Sequence, residues 1–134
     1  MKTSISVLAV ISLLCPSSID RCVAETVVAP GAKLEKLADG FAFTEGPTAD
    51  SAGNVFFTDQ PNDRILKWSV EGQLSTFLQP AGRANGMYFD ANDNLIACAD
   101  ENTELWSIDR TGKHKVLTGR FEGKQLNGPN DVWV

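Results

Sequence analysis

The sequence repeats itself with a period of about 40 residues, and this repeat limits the available folds more than any other feature. The segment EGPTADSAGNVFFTD begins at Glu45, and the related segment NGMYFDANDNLIACAD begins at Asn85. A third and shorter copy, NDVWV, occupies residues 130–134. Self-similarity at a fixed spacing of this length is typical of folds that stack one supersecondary unit several times.

Each full copy predicts four short antiparallel strands. A first strand ends at Asp50 or Asp90, a tight polar turn follows, and Asn54 or Asn94 opens the next apolar run. Two more stretches rich in β-formers follow, joined by the turn signals Glu-Gly and Thr-Gly. No window of about 12 or more residues after residue 30 has a helical period. The pattern predicts an all-β fold made of β-propeller blades, with a β-sandwich as the alternative.

The first 24 residues predict a signal peptide. Met1–Lys2 supplies a positive charge, residues 5–15 are apolar, and Cys22-Val23-Ala24 is an acceptable cleavage site. The apolar run is too short to span a bilayer, which takes roughly 20 residues. A lipoprotein or a buried N-terminal element are the alternatives. We therefore expect a secreted or periplasmic protein without a membrane span.

The remaining composition excludes several classes of protein. The whole chain of 134 residues has a formal net charge of -5, which argues against nucleic-acid binding. Cys98 stands alone in an apolar stretch and is predicted to be a small buried hydrophobe. His114, the one histidine, lies between two lysines and is predicted to be a solvated strand residue. Residues 33–38 are predicted to form a further strand before the first blade.

Three residues occupy one equivalent position of the repeat: Glu45, Asn85 and Asn130. Each lies at the start of the strand that a propeller places nearest its axis, so the three are expected to converge on the central channel. Carboxylate and amide oxygens are the ligands that Ca²⁺ and similar cations prefer. The alternative is that these side chains cap turns by accepting hydrogen bonds from backbone N–H groups.

One segment imitates a calcium-binding loop of the EF-hand type. Asp90, Asn92, Asn94 and Glu101 fall at ligand positions of such a loop, but Leu95 stands where its sharp turn needs glycine. The flanking residues are typical of strands and the segment matches the turn at Asp50. We interpret it as a hairpin turn.

Several motifs together resemble the senescence-marker protein/gluconolactonase/luciferin-regenerating-enzyme family, in its gluconolactonase branch. They are FTEGP at residues 43–47, NGM at 85–87, LIAC at 95–98, FEGK at 121–124 and LNGPNDVWV at 126–134. The resemblance implies a six-bladed β-propeller, of which residues 25–134 would supply about two blades and the start of a third. It also implies one divalent cation in the channel, with Ca²⁺ expected first and Zn²⁺, Mn²⁺ or Mg²⁺ as alternatives.

The resemblance implies roles for two of the three candidate residues. Glu45 matches the family's metal-ligating glutamate, and Asn130 matches the asparagine that lies at the substrate or at metal-bound water. Asn85 is a candidate substrate contact from the repeat alone, because the family pattern carries no role to it. The family's other metal ligands, and a proton-transferring Asp, would lie beyond Val134. The animal branch has an arginine two residues before the Asn-Asp pair, where this chain has Gly128.

The sequence thus predicts metal-dependent hydrolysis of a lactone, in which the cation polarises the lactone carbonyl. The expected partner is a small lactone, and the expected state is a monomer or weak oligomer. Two alternatives stay open at this point. One is a propeller that binds a ligand or protein without catalysis, and the other is an inactive N-terminal fragment.

Overall fold

A computed structural model describes residues 29–134, and the predicted signal peptide over residues 1–24 lies outside them. Blade one is a four-stranded antiparallel sheet in the order β1-β2-β3-β4. Blade two has the same form, in the order β5-β6-β7-β8. Their strands are β1 Thr44–Ala49, β2 Val55–Asp59, β3 Arg64–Trp68, β4 Leu74–Leu78, β5 Ala84–Phe89, β6 Leu95–Ala99, β7 Glu104–Ile108 and β8 His114–Thr118. The predicted all-β fold and its two blades are confirmed.

The two blades also share their irregularities. In blade one the register shifts between Glu45 and Thr48, and in blade two it shifts between Ala84 and Met87. A second shift falls between β3 and β4, and its counterpart falls between β7 and β8. Such bulges bend a strand and redirect its side chains. The sequence repeat is therefore a repeat of the backbone, including the bulge at the candidate site.

The polar turns repeat because one aspartate closes each of them. Asp50 Oδ1 accepts hydrogen bonds from the N–H groups of Ala52 (3.1 Å) and Asn54 (2.8 Å). Asp90 Oδ1 accepts the same pair from Asn92 and Asn94, each at 2.8 Å. Asp side chains stabilise turns in this way. The segment that imitates an EF-hand is thus a hairpin turn, as predicted.

The core lies between the two blades. Phe56 of β2 makes edge-to-face contacts with Phe77 of β4 and Phe89 of β5, each with ring centroids 5.0 Å apart. Cys98 is fully buried, as predicted, and burial raises the pKa of its thiol from 9.0 to about 11. His114 is exposed, also as predicted, and its ring stacks on Trp106 at 3.8 Å.

Two sequence predictions about the ends of the described region are wrong. Residues 33–38 form no strand, since no described strand pairs with them. Residues 130–134 also form no strand, and the chain reaches them through a short hairpin of β9 Arg120–Phe121 and β10 Lys124–Gln125. Among residues 29–134, no helix is long and apolar enough to cross a membrane.

Candidate functional site

The bulge in β1 fixes the backbone at Glu45. Glu45 pairs with Thr58 of β2, and the Thr58 hydroxyl donates a hydrogen bond of 3.0 Å to the Glu45 carbonyl. Gly46 follows with a φ of 57°, a conformation that glycine adopts at no steric cost. Pro47 then restricts the backbone further. The Glu45 side chain is half-buried and is carried on a rigid stretch of main chain.

The three equivalent positions of the repeat follow one another closely in space. The Asn85 carbonyl oxygen lies 2.5 Å from the point that a Cβ on Gly46 would occupy. One step further along the chain, the Gly86 N–H donates a hydrogen bond of 2.7 Å to the Asn130 carbonyl. We call the stretches of chain around Glu45, Asn85 and Asn130 the inner segments. Each inner segment packs on the glycine of the one before it, so the three predicted positions come together through their backbone atoms.

Glu45 and Asn130 line one cleft of about 290 Å³. Its wall is made by the inner segments of both blades and by the segment that follows β10. The lining residues are Glu45, Gly46, Pro47, Gly86, Met87, Asn130 and Asp131. The polar side chains in this set are carboxylates and an amide, and the set contains no lysine or arginine. The cleft therefore presents hard oxygen donors and a negative charge.

Asn85 is placed differently from the other two residues. Its side chain is only 7% exposed and is absent from the lining of the cleft. Asn85 supports the cleft from behind through its carbonyl, and its role as a substrate contact stays a prediction.

Asp131 is a lining residue that the sequence reasoning did not single out. Its Oδ1 accepts a hydrogen bond of 2.8 Å from the Val132 N–H, and its negative charge acts on Cys98 inside blade two. The pKa of Cys98 is raised by burial first and by the negative charge of Asp131 second. The signal was its place directly after Asn130, because neighbouring residues of an irregular segment can both face one cleft.

The donor set fits a hard cation in kind. Glu45 offers carboxylate oxygens and Asn130 offers an amide oxygen, whereas Ca²⁺ takes about six to eight oxygen ligands. Asp131 also lines the cleft, but its Oδ1 already accepts the Val132 N–H. Within the described part of the chain, no three His, Cys, Asp or Glu side chains come close enough together to hold a metal ion.

Gly128 stands at a position that favours glycine. Its φ is 56°, and a Cβ there would lie 2.6 Å from Asp100 Oδ1. An arginine side chain two residues before Asn130 would therefore need both a strained backbone and a displaced Asp100. Any contact that such an arginine makes to a substrate is absent at this position.

Two repeated four-stranded blades, whose inner segments meet at an oxygen-lined cleft, define the fold of this chain as a partial β-propeller. The sequence profile of the SMP-30/Gluconolactonase/LRE-like region matches residues 43–134. The chain belongs to that family.

Proteins similar to this chain include gluconolactonases. The chain is 30% identical over 116 residues to a gluconolactonase of Zymomonas mobilis subsp. mobilis, covering 75% of this chain and 32% of that protein. A solved gluconolactonase of Xanthomonas campestris is 30% identical to this chain with a TM-score of 0.68, and the match covers 71% of this chain and 32% of the Xanthomonas protein. A second solved protein, assigned as a gluconolactonase, has 37% identity and a TM-score of 0.74, covering 78% and 37%. The chain thus spans about a third of the length of these relatives.

Proposed function

We propose that the full-length gene product containing this chain hydrolyses a lactone, with a divalent cation held in the channel of its propeller. The observation that carries the proposal is the meeting of Glu45 and Asn130 at one cleft lined by oxygen donors. It is supported by membership in a family whose similar members are gluconolactonases.

Glu45 is the residue of this chain that would hold the cation. Its carboxylate is half-buried, and no lysine or arginine lines the cleft to compete for it. A bound cation supplies Lewis-acid polarisation of the lactone carbonyl and stabilises the negative charge that develops on its oxygen. Ca²⁺ is the first expectation, since the side-chain donors are all oxygens, and Zn²⁺, Mn²⁺ and Mg²⁺ are the alternatives.

Asn130 would orient the substrate or the attacking water. Its side chain is exposed in the cleft while its carbonyl is fixed by the Gly86 N–H. An amide both donates and accepts hydrogen bonds, so Asn130 can contact a ring oxygen, a hydroxyl or a water without changing its charge.

Calorimetry and titration of released acid test this proposal together. We expect the full-length protein to bind Ca²⁺ and to release acid from gluconolactone, and we expect a chelator to abolish both. The matched control is Glu71→Gln, which removes an exposed carboxylate from a turn of the same blade that lies outside the cleft. Calcium binding without any lactone turnover would contradict the proposal and favour a propeller that binds a ligand without catalysis.

We also propose that the protein is exported and acts as a monomer or weak oligomer. The support for export is the leader-like composition of residues 1–24. Sequencing the N-terminus of the secreted or periplasmic protein should give Glu25 as its first residue. An intact Met1 on protein retained in the cytoplasm would contradict export.

A further inference from the structure

Two glycines set the spacing between the candidate residues. Gly46 and Gly86 follow Glu45 and Asn85 in equivalent bulges. A Cβ on Gly46 would lie 2.5 Å from the Asn85 carbonyl oxygen. A Cβ on Gly86 would lie 2.8 Å from the Asn130 carbonyl oxygen and 2.9 Å from Asp131 Cα, and would also collide with Asp131 Oδ1. Real Cβ atoms essentially never approach another atom within 3.0 Å.

The two glycines are needed for different reasons. Gly46 has a φ of 57°, so its backbone conformation alone favours glycine. Gly86 is absent from the residues with positive φ, and its backbone is therefore open to other residues. What excludes a side chain at Gly86 is the close approach of residues 130–131. The space above Gly86 is filled by the Asp131 side chain.

We propose that Asp131, which packs over the main chain of Gly86 where a side chain would otherwise stand, positions Asn130 in the cleft that Glu45 also lines. Two hydrogen bonds complete this arrangement: Gly86 N–H to the Asn130 carbonyl at 2.7 Å, and Val132 N–H to Asp131 Oδ1 at 2.8 Å. The second bond turns the Asp131 carboxylate back onto its own main chain. Gly86 and Asp131 are thus positioning residues that act through Asn130, and this inference rests on the function proposed for Asn130.

The first test is Gly86→Ala in the full-length protein. The added methyl group must push the 130–131 segment away, because two of the three atoms it meets belong to the backbone. A misplacement of about 1 Å can cost about 100-fold in rate, so we expect kcat to fall by about 10- to 100-fold with a smaller change in KM. A crystal structure of the variant should show Asn130 displaced and Glu45 in place.

Gly119→Ala is the matched control. Gly119 follows β8, also lacks a positive φ, and a Cβ there would first meet the flexible Glu104 side chain at 3.2 Å. It lies outside the cleft, so we expect kcat and calcium affinity to stay at their wild-type values. Asn130 should keep its wild-type position in this variant.

The second test compares Asp131→Asn with Asp131→Ala and does not depend on the folding of Gly86→Ala. Asparagine keeps the shape of the side chain and an oxygen that can accept the Val132 N–H, whereas alanine empties the space. We expect Asp131→Asn to keep kcat within about threefold and its pH profile unchanged, and Asp131→Ala to lose about tenfold.

Two results would overturn the inference. One is a Gly86→Ala structure with Asn130 in its wild-type position. The other is an Asp131→Asn variant as inactive as Asp131→Ala, since that would make the charge of Asp131 the important property. If Asn130 moves in Gly86→Ala but the wild-type protein hydrolyses no lactone, the proposed function fails while the positioning role stands.

Discussion

The two blades have the same backbone and hold their inner segments in different ways. Glu45 and Asn85 occupy equivalent places in the two bulges, and so do Thr58 and Cys98 in the strands that follow. In both pairs the residue of blade one is the more polar: Glu45 is charged and Asn85 is not, and Thr58 has a hydroxyl where Cys98 has a thiol. In blade one a buried carboxylate holds the main chain directly before β1, which carries Glu45. In blade two the corresponding place is packed with apolar groups.

In blade one the carboxylate is Asp59, which is fully buried. It accepts hydrogen bonds from the N–H groups of Ala42 (2.9 Å) and Phe43 (3.2 Å), directly before β1. Asn62 and Arg64 donate to its other oxygen at 2.8 Å and 2.7 Å. Burial by itself would raise the pKa of Asp59, but these hydrogen bonds outweigh it and lower the pKa from 3.8 to about 2.

In blade two the equivalent residue is Ala99, which packs beside Gly82 and Trp106. The approach to Asn85 is held instead from blade one, where Asp63 Oδ1 accepts from the N–H groups of Ala81 (3.0 Å) and Arg83 (2.7 Å). In both blades a carboxylate thus holds the main chain before the inner strand, but it stands at a different position of the repeat in each.

The largest effect is expected at the equivalent pair Glu45 and Asn85. Glu45→Gln keeps the shape and removes the charge that would hold the cation, so we expect calcium affinity and kcat/KM to fall together, by about 100-fold or more. Asn85→Ala should lower kcat/KM by less and leave calcium affinity unchanged, because Asn85 does not line the cleft. Calorimetry and a pH-stat assay on gluconolactone measure both. An unchanged rate in Glu45→Gln would refute its assigned role.

The next effect is on stability, at Asp59. Asp59→Ala leaves the Ala42 and Phe43 N–H groups and the Arg64 guanidinium without their acceptor, and breaking such a pair costs about 3 kcal/mol. Urea unfolding measures the loss. The control is Asp39→Ala, where an exposed aspartate pairs with Lys36 and the change should stay within about 0.5 kcal/mol. Equal losses in the two variants would show that Asp59 is not the anchor.

The pH dependence of stability follows from the same residue. The folded pKa of Asp59 is about 2 and its ordinary value is 3.8, so its contribution is complete above about pH 4. It is lost as the pH falls through 2, because the unfolded chain then binds the proton more readily. Asp59→Asn should therefore lose less stability than the wild-type protein between pH 4 and pH 2. The measurement is the melting temperature of both proteins at several pH values between 4 and 2. An equal fall in melting temperature for the two proteins would contradict the prediction.

The smallest effect is expected at the exposed link between the blades. Asp93 of blade two accepts hydrogen bonds from the Ser51 hydroxyl and N–H of blade one, and Arg110 contacts it at 2.6 Å. The Ser51 hydrogen bond is the main reason that the pKa of Asp93 is lowered. Arg110→Ala should lower Tm by less than Asp59→Ala does. The loss of Tm in Arg110→Ala relative to the wild-type protein should shrink in about 1 M salt, which screens exposed charges. A loss that is independent of salt would mean that Arg110 acts through packing.

Much of the fold followed from the repeat because each turn is closed by its own residues. Asp50 with Asn54, and Asp90 with Asn94, form hydrogen bonds within five residues of chain, and the strands between the turns are short and apolar. Strand predictions failed where pairing depends on a distant partner, at residues 33–38 and 130–134. Asp131 was missed because its importance comes from packing over Gly86, a residue 45 positions earlier in the chain, and no local pattern records that contact.

The sequence by itself determined the blade, its turns and the equivalence of Glu45, Asn85 and Asn130. These depend on contacts between residues that are near one another in the chain. Only the tertiary structure decided which of the three face the cleft and which is buried behind it. The reason is that the inner segments pack through backbone atoms, so that Gly46 and Gly86, and not the candidate side chains, set how closely one segment approaches the next.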